Sequence, residues 1–493
     1  MSCHRKLLPG LMARLFLPGL GLCTLVLAAP VAAQSRNPLV FEPYTFRTYD
    51  GRAIPAELGT LEMPEHRGTP GTRTVTIAFV RLRSTSSAPG APIVWLAGGP
   101  GIPGIAMAKV PVYFALFEKL REVGDVILLD QRGVGLSQPS LDCTSPPPPK
   151  DVFESAAKWL AAWDRMVISC DQRLRMQGID VKAYTLAAGA DDIDDLRRAL
   201  GAARVSLIGH SFGTMLAQEF VRRHRTEVDR VVLANVKGED HLIARPSEWD
   251  VLLEKLSLQA ARDSAAPAEA RDLLALAKRV AGKLDRAPIQ LRVTHPQSAD
   301  TATLTVGGFG VRWLFRNYAA DARTYAWYST FLLDIDRGRH EKLAADLASH
   351  YFSFGRSQMA TVTDCSIGWT KERFATAEHE RDTFYEIVNN QWRTDICARL
   401  GYEGRALIRP PLISAVPALF ISGTLDANTP PHHAEEVRWG FVNSTHLIVE
   451  NAGHETIPSA EVQAVIVDFF RGKDVSTRHV ALPPPRFTRS PHH

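Results

Sequence analysis

Two periodicities alternate along the chain. Short apolar runs without a polar face recur as "PIVWLAG" (92–98), "DVILLD" (125–130), "RVSLIG" (204–209), "VDRVVLANV" (228–236), "PALFISG" (417–423) and "THLIVEN" (445–451). Runs of this length, rich in Val, Ile and Leu, predict strands buried on both faces. Helical spacing fills 191–200, 214–224, 432–438 and 459–471 between them. Upstream, "AELGTLEMPEH" and "TRTVTIAFVRLRS" flank "RGTPG" and predict a hairpin. Strand–helix alternation implies a mostly parallel sheet covered by helices on both faces. From 237 to 409 the rhythm changes to Ala-, Leu-, Arg- and Asp-rich helical segments with no clear buried strand. An insertion of roughly 170 residues is too long for a loop and suffices for a helical subdomain. The expected organisation is a core in two parts, 34–236 and 410–472, the insertion 237–409, and a Pro-rich, extended or disordered tail over 473–493.

The first 33 residues change this picture. His4, Arg5, Lys6 and Arg14 precede an apolar run over 15–29, and "VAAQ" offers a cleavage point after Ala33. Basic, apolar and small residues in that order predict a signal peptide over 1–33 and an exported mature chain, periplasmic or secreted. A run of about 15 residues is short of the roughly 20 a membrane span needs, so no stable membrane association is expected after cleavage. Cys23 has Leu22 before it, where lipid attachment would want a small residue. Four cysteines remain in the mature chain, Cys143, Cys170, Cys365 and Cys397. An even number in an exported protein favours two disulfides over free thiols, and of the three pairings the local ones, Cys143–Cys170 and Cys365–Cys397, are preferred. The net charge of +4 over 493 residues comes with no basic stripe, which argues against a nucleic-acid partner. Cysteine and histidine spacings suit no catalytic metal.

The chemistry concentrates in "LIGHSFGTMLAQEF" (207–220). Gly209-His210-Ser211-Phe212-Gly213 stands between an apolar strand and a helix, the context of a nucleophile elbow, in which the serine takes a strained turn and two glycines admit close strand–helix approach. A serine hydroxyl is a weak nucleophile without a base and an acid to hold that base. "LFISGTLDANTPP" puts Asp426 just beyond a strand, and "LIVENAGHETIPS" puts His454 just beyond the next. Ser211, Asp426 and His454 follow the chain order expected of this elbow, with His454 as the base and Asp426 orienting it. An acid after the preceding strand would fall at Asn235, which cannot serve, with Glu239 and Asp240 beyond; His432, His433 and His446 are weaker bases on placement.

"WLAGGPGIPG" (95–104) has the spacing G-x-G-x-x-G through Gly99, Gly101 and Gly104, with Asp130 ending the next strand, as in a dinucleotide site. Pro100 and Pro103 remove amides that a pyrophosphate would use, so no cofactor is expected. The loop instead suits an oxyanion, with the amides of Gly99 and Phe212 as donors. Asp130 becomes a structural residue pairing with Arg132 or nearby backbone.

"GGPG" (98–101), "DQRGVGLS" (130–137), "GHSFGT" (209–214), "GTLDANTP" (423–430) and "NAGH" (451–454) together resemble the α/β-hydrolase superfamily, and within it the proline iminopeptidase and tripeptidyl aminopeptidase branch. Ala97 stands where proline iminopeptidases usually carry His, a departure that resembles the longer, exported, cysteine-bridged members. The resemblance implies an α/β-hydrolase fold with a helical cap, acting on a peptide or small acyl substrate at a free N-terminus, with an esterase as the alternative. It further implies acidic cap residues for the substrate ammonium; Glu239, Asp240, Glu248, Asp334, Asp336 and Glu386 are all available.

Overall fold

A computed structural model describes residues 39–143, 146–319, 321–355, 357–380, 383–385, 396–402 and 411–487. Residues 1–33, read above as a signal peptide, Glu386 and the last six residues lie outside the described residues. The strands are β1 (Val40–Arg47), β2 (Ala53–Pro64), β3 (Thr74–Leu82), β4 (Ile93–Leu96), β5 (Val126–Asp130), β6 (Val205–His210), β7 (Val228–Ala234), β8 (Ile289–Thr294), β9 (Thr301–Val306), β10 (Ala418–Gly423), β11 (Ser444–Glu450) and β12 (Val480–Ala481). Ten of them form one sheet in the order β1-β2-β3-β5-β4-β6-β7-β10-β11-β12. β1, β2 and β3 pair antiparallel and β3 is antiparallel to β5; every pairing from β5 to β12 is parallel.

The buried strands explain the continuous apolar runs. Successive residues of β4 point to opposite faces: Val94 and Leu96 join the core under the helices Leu186–Ala199 and Phe212–Arg223. Ile93 and Trp95 join the core under Pro111–Leu120 and Ala460–Phe470. With both faces covered, neither parity can be polar. The expected Asp130 role holds for the backbone: its carboxylate accepts from the Ile105 and Leu136 amides, each at 2.9 Å. Arg132 takes another partner. Its buried guanidinium makes two hydrogen bonds to Asp192, at 2.7 and 2.6 Å, and bonds the Glu65 and Ala183 carbonyls. A planar fork fits one carboxylate in this way, and Asp130 is already satisfied by amides.

Between β7 and β10 the chain runs mainly through helices, Pro246–Arg262 to Ile396–Arg399. It also contains an antiparallel hairpin, β8 with β9, whose alternating burial reflects the polar–apolar alternation of "IQLRVT" and "TATLTV". That alternation is a half-buried strand signal, distinct from the fully apolar runs of the main sheet. The insertion's apolar core is not built from the insertion alone. Val152, Phe153 and Ala162 enter it from before β6, and Phe487 from the tail. The tail is thereby tied down twice, by β12 on β11 and by Phe487, whose amide donates to Asp263 at 2.7 Å. Burying such a phenylalanine stabilises by about 1.5–3 kcal/mol, enough to order an end that composition alone would leave loose. Both local disulfides form: Cys143–Cys170 with Cα atoms 5.7 Å apart and Cys365–Cys397 with 5.4 Å. Among the described residues no helix is long and apolar enough to cross a membrane.

Candidate active site

Five neighbouring parallel strands, β4, β6, β7, β10 and β11, present their carboxyl ends along one edge, where open α/β sheets place their ligands. β6 ends at His210, and Ser211 follows with φ 52° and ψ −119°. A left-handed φ at a non-glycine costs about 1–3 kcal/mol and persists only where the surroundings enforce it. Here the Ser211 amide donates to the Ala234 carbonyl at 2.9 Å, and its carbonyl accepts from Thr214. The flanking glycines make the turn possible. A Cβ on Gly209 would lie 2.6 Å from the Gly213 carbonyl, and one on Gly213 only 2.0 Å from that of Leu96.

The glycine loop after β4 packs directly on this turn, since a Cβ on Gly98 would come within 3.1 Å of the Ser211 Cβ. Gly99 adopts φ +111°, closed to most side chains. Among the described residues neither the Gly99 nor the Phe212 amide makes a backbone hydrogen bond.

Asp426 and His454 meet as expected from their order. His454 Nδ1 lies 2.9 Å from Asp426 Oδ2, and both side chains are buried. The carboxylate is fully engaged: Oδ1 accepts from the Asn428 and Thr429 amides at 2.8 and 2.9 Å, and Oδ2 from Thr429 Oγ1 at 2.6 Å and Asn235 Nδ2 at 3.0 Å. Burial by itself would raise the Asp426 carboxyl, but the neighbouring imidazole and these donors hold it well below the usual carboxylate range. Burial likewise opposes the His454 charge, and Asp426 outweighs it, so the imidazole lies above its ordinary value. On the insertion side the buried Tyr325 hydroxyl donates to the Leu425 carbonyl at 2.8 Å, fixing the loop that carries Asp426.

Sequence reasoning overlooked two asparagines. Asn235, excluded as the acid, instead donates to it, and its own Oδ1 accepts from Thr456 at 2.7 Å. Asn428 sets its carboxamide 3.1 Å from His454 Nε2, the nitrogen a nucleophile would use. The Ser211 hydroxyl makes no hydrogen bond among the described residues, so none joins it to His454. Catalytic hydrogen bonds often tighten only once substrate is bound. "DANTP" carried the signal: Asx-type residues after a strand bond locally.

The other candidates are placed elsewhere. His446 contacts Glu435 and Ser422; His432 and His433 contact Glu248. Of the acids proposed for an ammonium, Glu239 pairs with Arg222, Asp240 caps Thr370, Asp334 pairs with Arg339 and Asp336 with Arg279. Glu248 lines a cavity of about 290 Å³ shared with Asp426. Glu248, His432 and His433 bring ligand-type atoms within 4.8 Å of one another. Arg373 stands 3.9 Å from the same carboxylate, which the two imidazoles approach at 3.3 and 3.1 Å, so Glu248 already has partners within the protein.

The chain belongs to the α/β-hydrolase fold family, whose pattern matches residues 91–460. It is 27% identical over 181 residues to YuaR of Escherichia coli K12, covering 34% of this chain and 32% of that protein. It is 27% identical over 184 residues to the serine protease Hip1 of Mycobacterium tuberculosis H37Rv, covering 34% of each. The chain thus spans about a third of the length of the relatives it matches. Among solved structures it is similar to a proline iminopeptidase of Mycobacterium smegmatis, at 16% identity over 85% of this chain and 100% of that one, with TM-score 0.38. It is similar also to an esterase of Thermogutta terrifontis, at 16% identity over 84% and 98%, with TM-score 0.35.

Proposed function

We propose that this α/β hydrolase is an exported serine peptidase that removes residues or short peptides from free N-termini. The observation that carries the reading is the buried Asp426–His454 pair at 2.9 Å, set beside a serine held in a strained strand-to-helix turn. In this reading substrate displaces the Asn428 carboxamide from His454 Nε2. Ser211 Oγ attacks the scissile carbonyl while His454 takes its proton, and the Gly99 and Phe212 amides receive the oxyanion. His454 returns the proton to the leaving amine, and water then hydrolyses the acyl-enzyme by the same route. The order of the five motifs and the partial likeness to Hip1 support a peptidase; the basic–apolar–small order of residues 1–33 and two disulfides support export.

The test compares aminoacyl- and tripeptidyl-coumarins with their N-acetylated copies and with a p-nitrophenyl ester, using Ser211→Ala as the control. Free-amine peptides are expected to be cleaved and blocked ones spared, and Ser211→Ala should lower turnover by several orders of magnitude with the fold intact. Turnover of the ester alone would make the protein an esterase, and undiminished turnover by Ser211→Ala would remove the serine mechanism.

A further inference from the structure

The elbow contains a second imidazole that this mechanism does not use. His210 is buried, with its ring 5.4 Å from that of His454, 6.4 Å from Trp95 and 6.3 Å from Tyr113. Its Nε2 lies 3.3 Å from the His454 carbonyl oxygen and 3.8 Å from Glu455 Oε2. A carbonyl can only accept, so Nε2 carries the proton and donates. Nδ1 is then a bare acceptor, buried without a partner, next to Gly98 of the oxyanion loop. Such an orphan is a cost that an apolar side chain of similar size would avoid, and the contacts of Nε2 are what offset it. Glu455 in turn accepts the Tyr113 hydroxyl.

We propose that His210, braced by Glu455 and Tyr113, is a positioning residue that holds the His454 loop against the nucleophile turn and the oxyanion loop. The inference rests on the reading of Ser211 and His454 as nucleophile and base. Its geometry is specific: His210 ends the strand that precedes Ser211, and its ring lies beside the glycine loop after β4 and reaches the backbone of His454 beyond β11. Burial holds the His210 imidazole below its ordinary value despite Glu455. Charge enters through Glu455. The groups acting on His454 are Asp426 from the β10 loop, Glu455 from its own loop, Lys237 beyond β7 and His210 from β6. Asp321 and Arg323 of the insertion act on Tyr113. A negative Glu455 favours the imidazolium, so neutralising it makes His454 easier to deprotonate.

The experiment measures kcat, KM and the pH profile of ester hydrolysis for Ser211→Ala, His210→Phe, His210→Gln and Glu455→Gln, with thermal unfolding to confirm folding. His210→Phe should lower kcat by about 10- to 100-fold with KM within about twofold. His210→Gln, which can keep a donor near the Nε2 position, should recover most of that loss. In Glu455→Gln the acidic limb should move to lower pH, because the base is active only when neutral. A dead Ser211→Ala beside an unimpaired His210→Phe and an unmoved Glu455→Gln limb would overturn the strut alone. An active Ser211→Ala would overturn the serine reading and the strut with it.

Discussion

Asn235 illustrates what a single side chain contributes at this site. It follows β7 with φ 55°, a conformation asparagine tolerates, and spends its amide on Asp426 and its oxygen on Thr456. A hydrogen bond to a charged acceptor is worth about 1.5–3 kcal/mol. Asn235→Ala should therefore lower kcat about 10-fold or more, because Asp426 loses a donor and the loop from His454 to Thr456 loses its tether. Steady-state kinetics of the purified variant would check this, and wild-type kcat would show that the remaining donors hold Asp426 unaided. From sequence Asn235 could be excluded as an acid, but its bond to a residue 191 positions away could not be seen.

At the scale of elements, the strand–turn–helix unit around Ser211 depends on contacts too close for any side chain. Gly213 opens the helix after the turn, and a Cβ there would overlap the Leu96 carbonyl of the adjacent strand. Gly213→Ala should push the helix off the sheet and abolish soluble expression or lower Tm by several degrees. Gly282, inside the helix Leu273–Arg286, is the contrast, since its nearest neighbour is the end of the Arg286 side chain at 3.4 Å. Gly282→Ala should stabilise by about 0.5–1 kcal/mol through helix propensity. Thermal melts of both variants check the pair, and a wild-type Tm for Gly213→Ala would mean that strand and helix can separate without cost. The elbow was legible because such crowding demands glycine at fixed spacing. The hairpin β8–β9 was not read from the sequence, its alternation being set among long helical stretches.

Across the whole molecule, the two disulfides tie together segments 27 and 32 residues apart along the chain. Cys365 lies in the helix Gln358–Ile367, and Ser357 just before it approaches Gly101 of the glycine loop after β4. Each bridge closes a loop of 27 or 32 residues, which in the entropy model stabilises by about 3–4 kcal/mol. The double variant Cys365→Ser, Cys397→Ser should lose about that much in denaturant unfolding and remain more stable than the reduced wild type, which loses Cys143–Cys170 as well. An unchanged midpoint would show that the packing of Trp163, Met166 and Ile396 around the bridge suffices without it.

The sequence by itself determined the strands buried on both faces, the elbow, the order serine–acid–histidine and the local cysteine pairing. The strands, the elbow and the cysteine pairing depend on periodicity, on glycine at a crowded turn or on short separation along the chain, all of which are local, and the order of the three residues is read directly along the chain. Tertiary structure alone decided that Arg132 binds Asp192 and not Asp130, that Asn235 and Thr429 complete the shell of Asp426, and that Asn428 and His210 flank His454. It also decided that Phe487 anchors the tail in the insertion's core. These pairings join residues from different strands and loops, and which carboxylate meets which donor is settled only when the sheet brings their ends side by side.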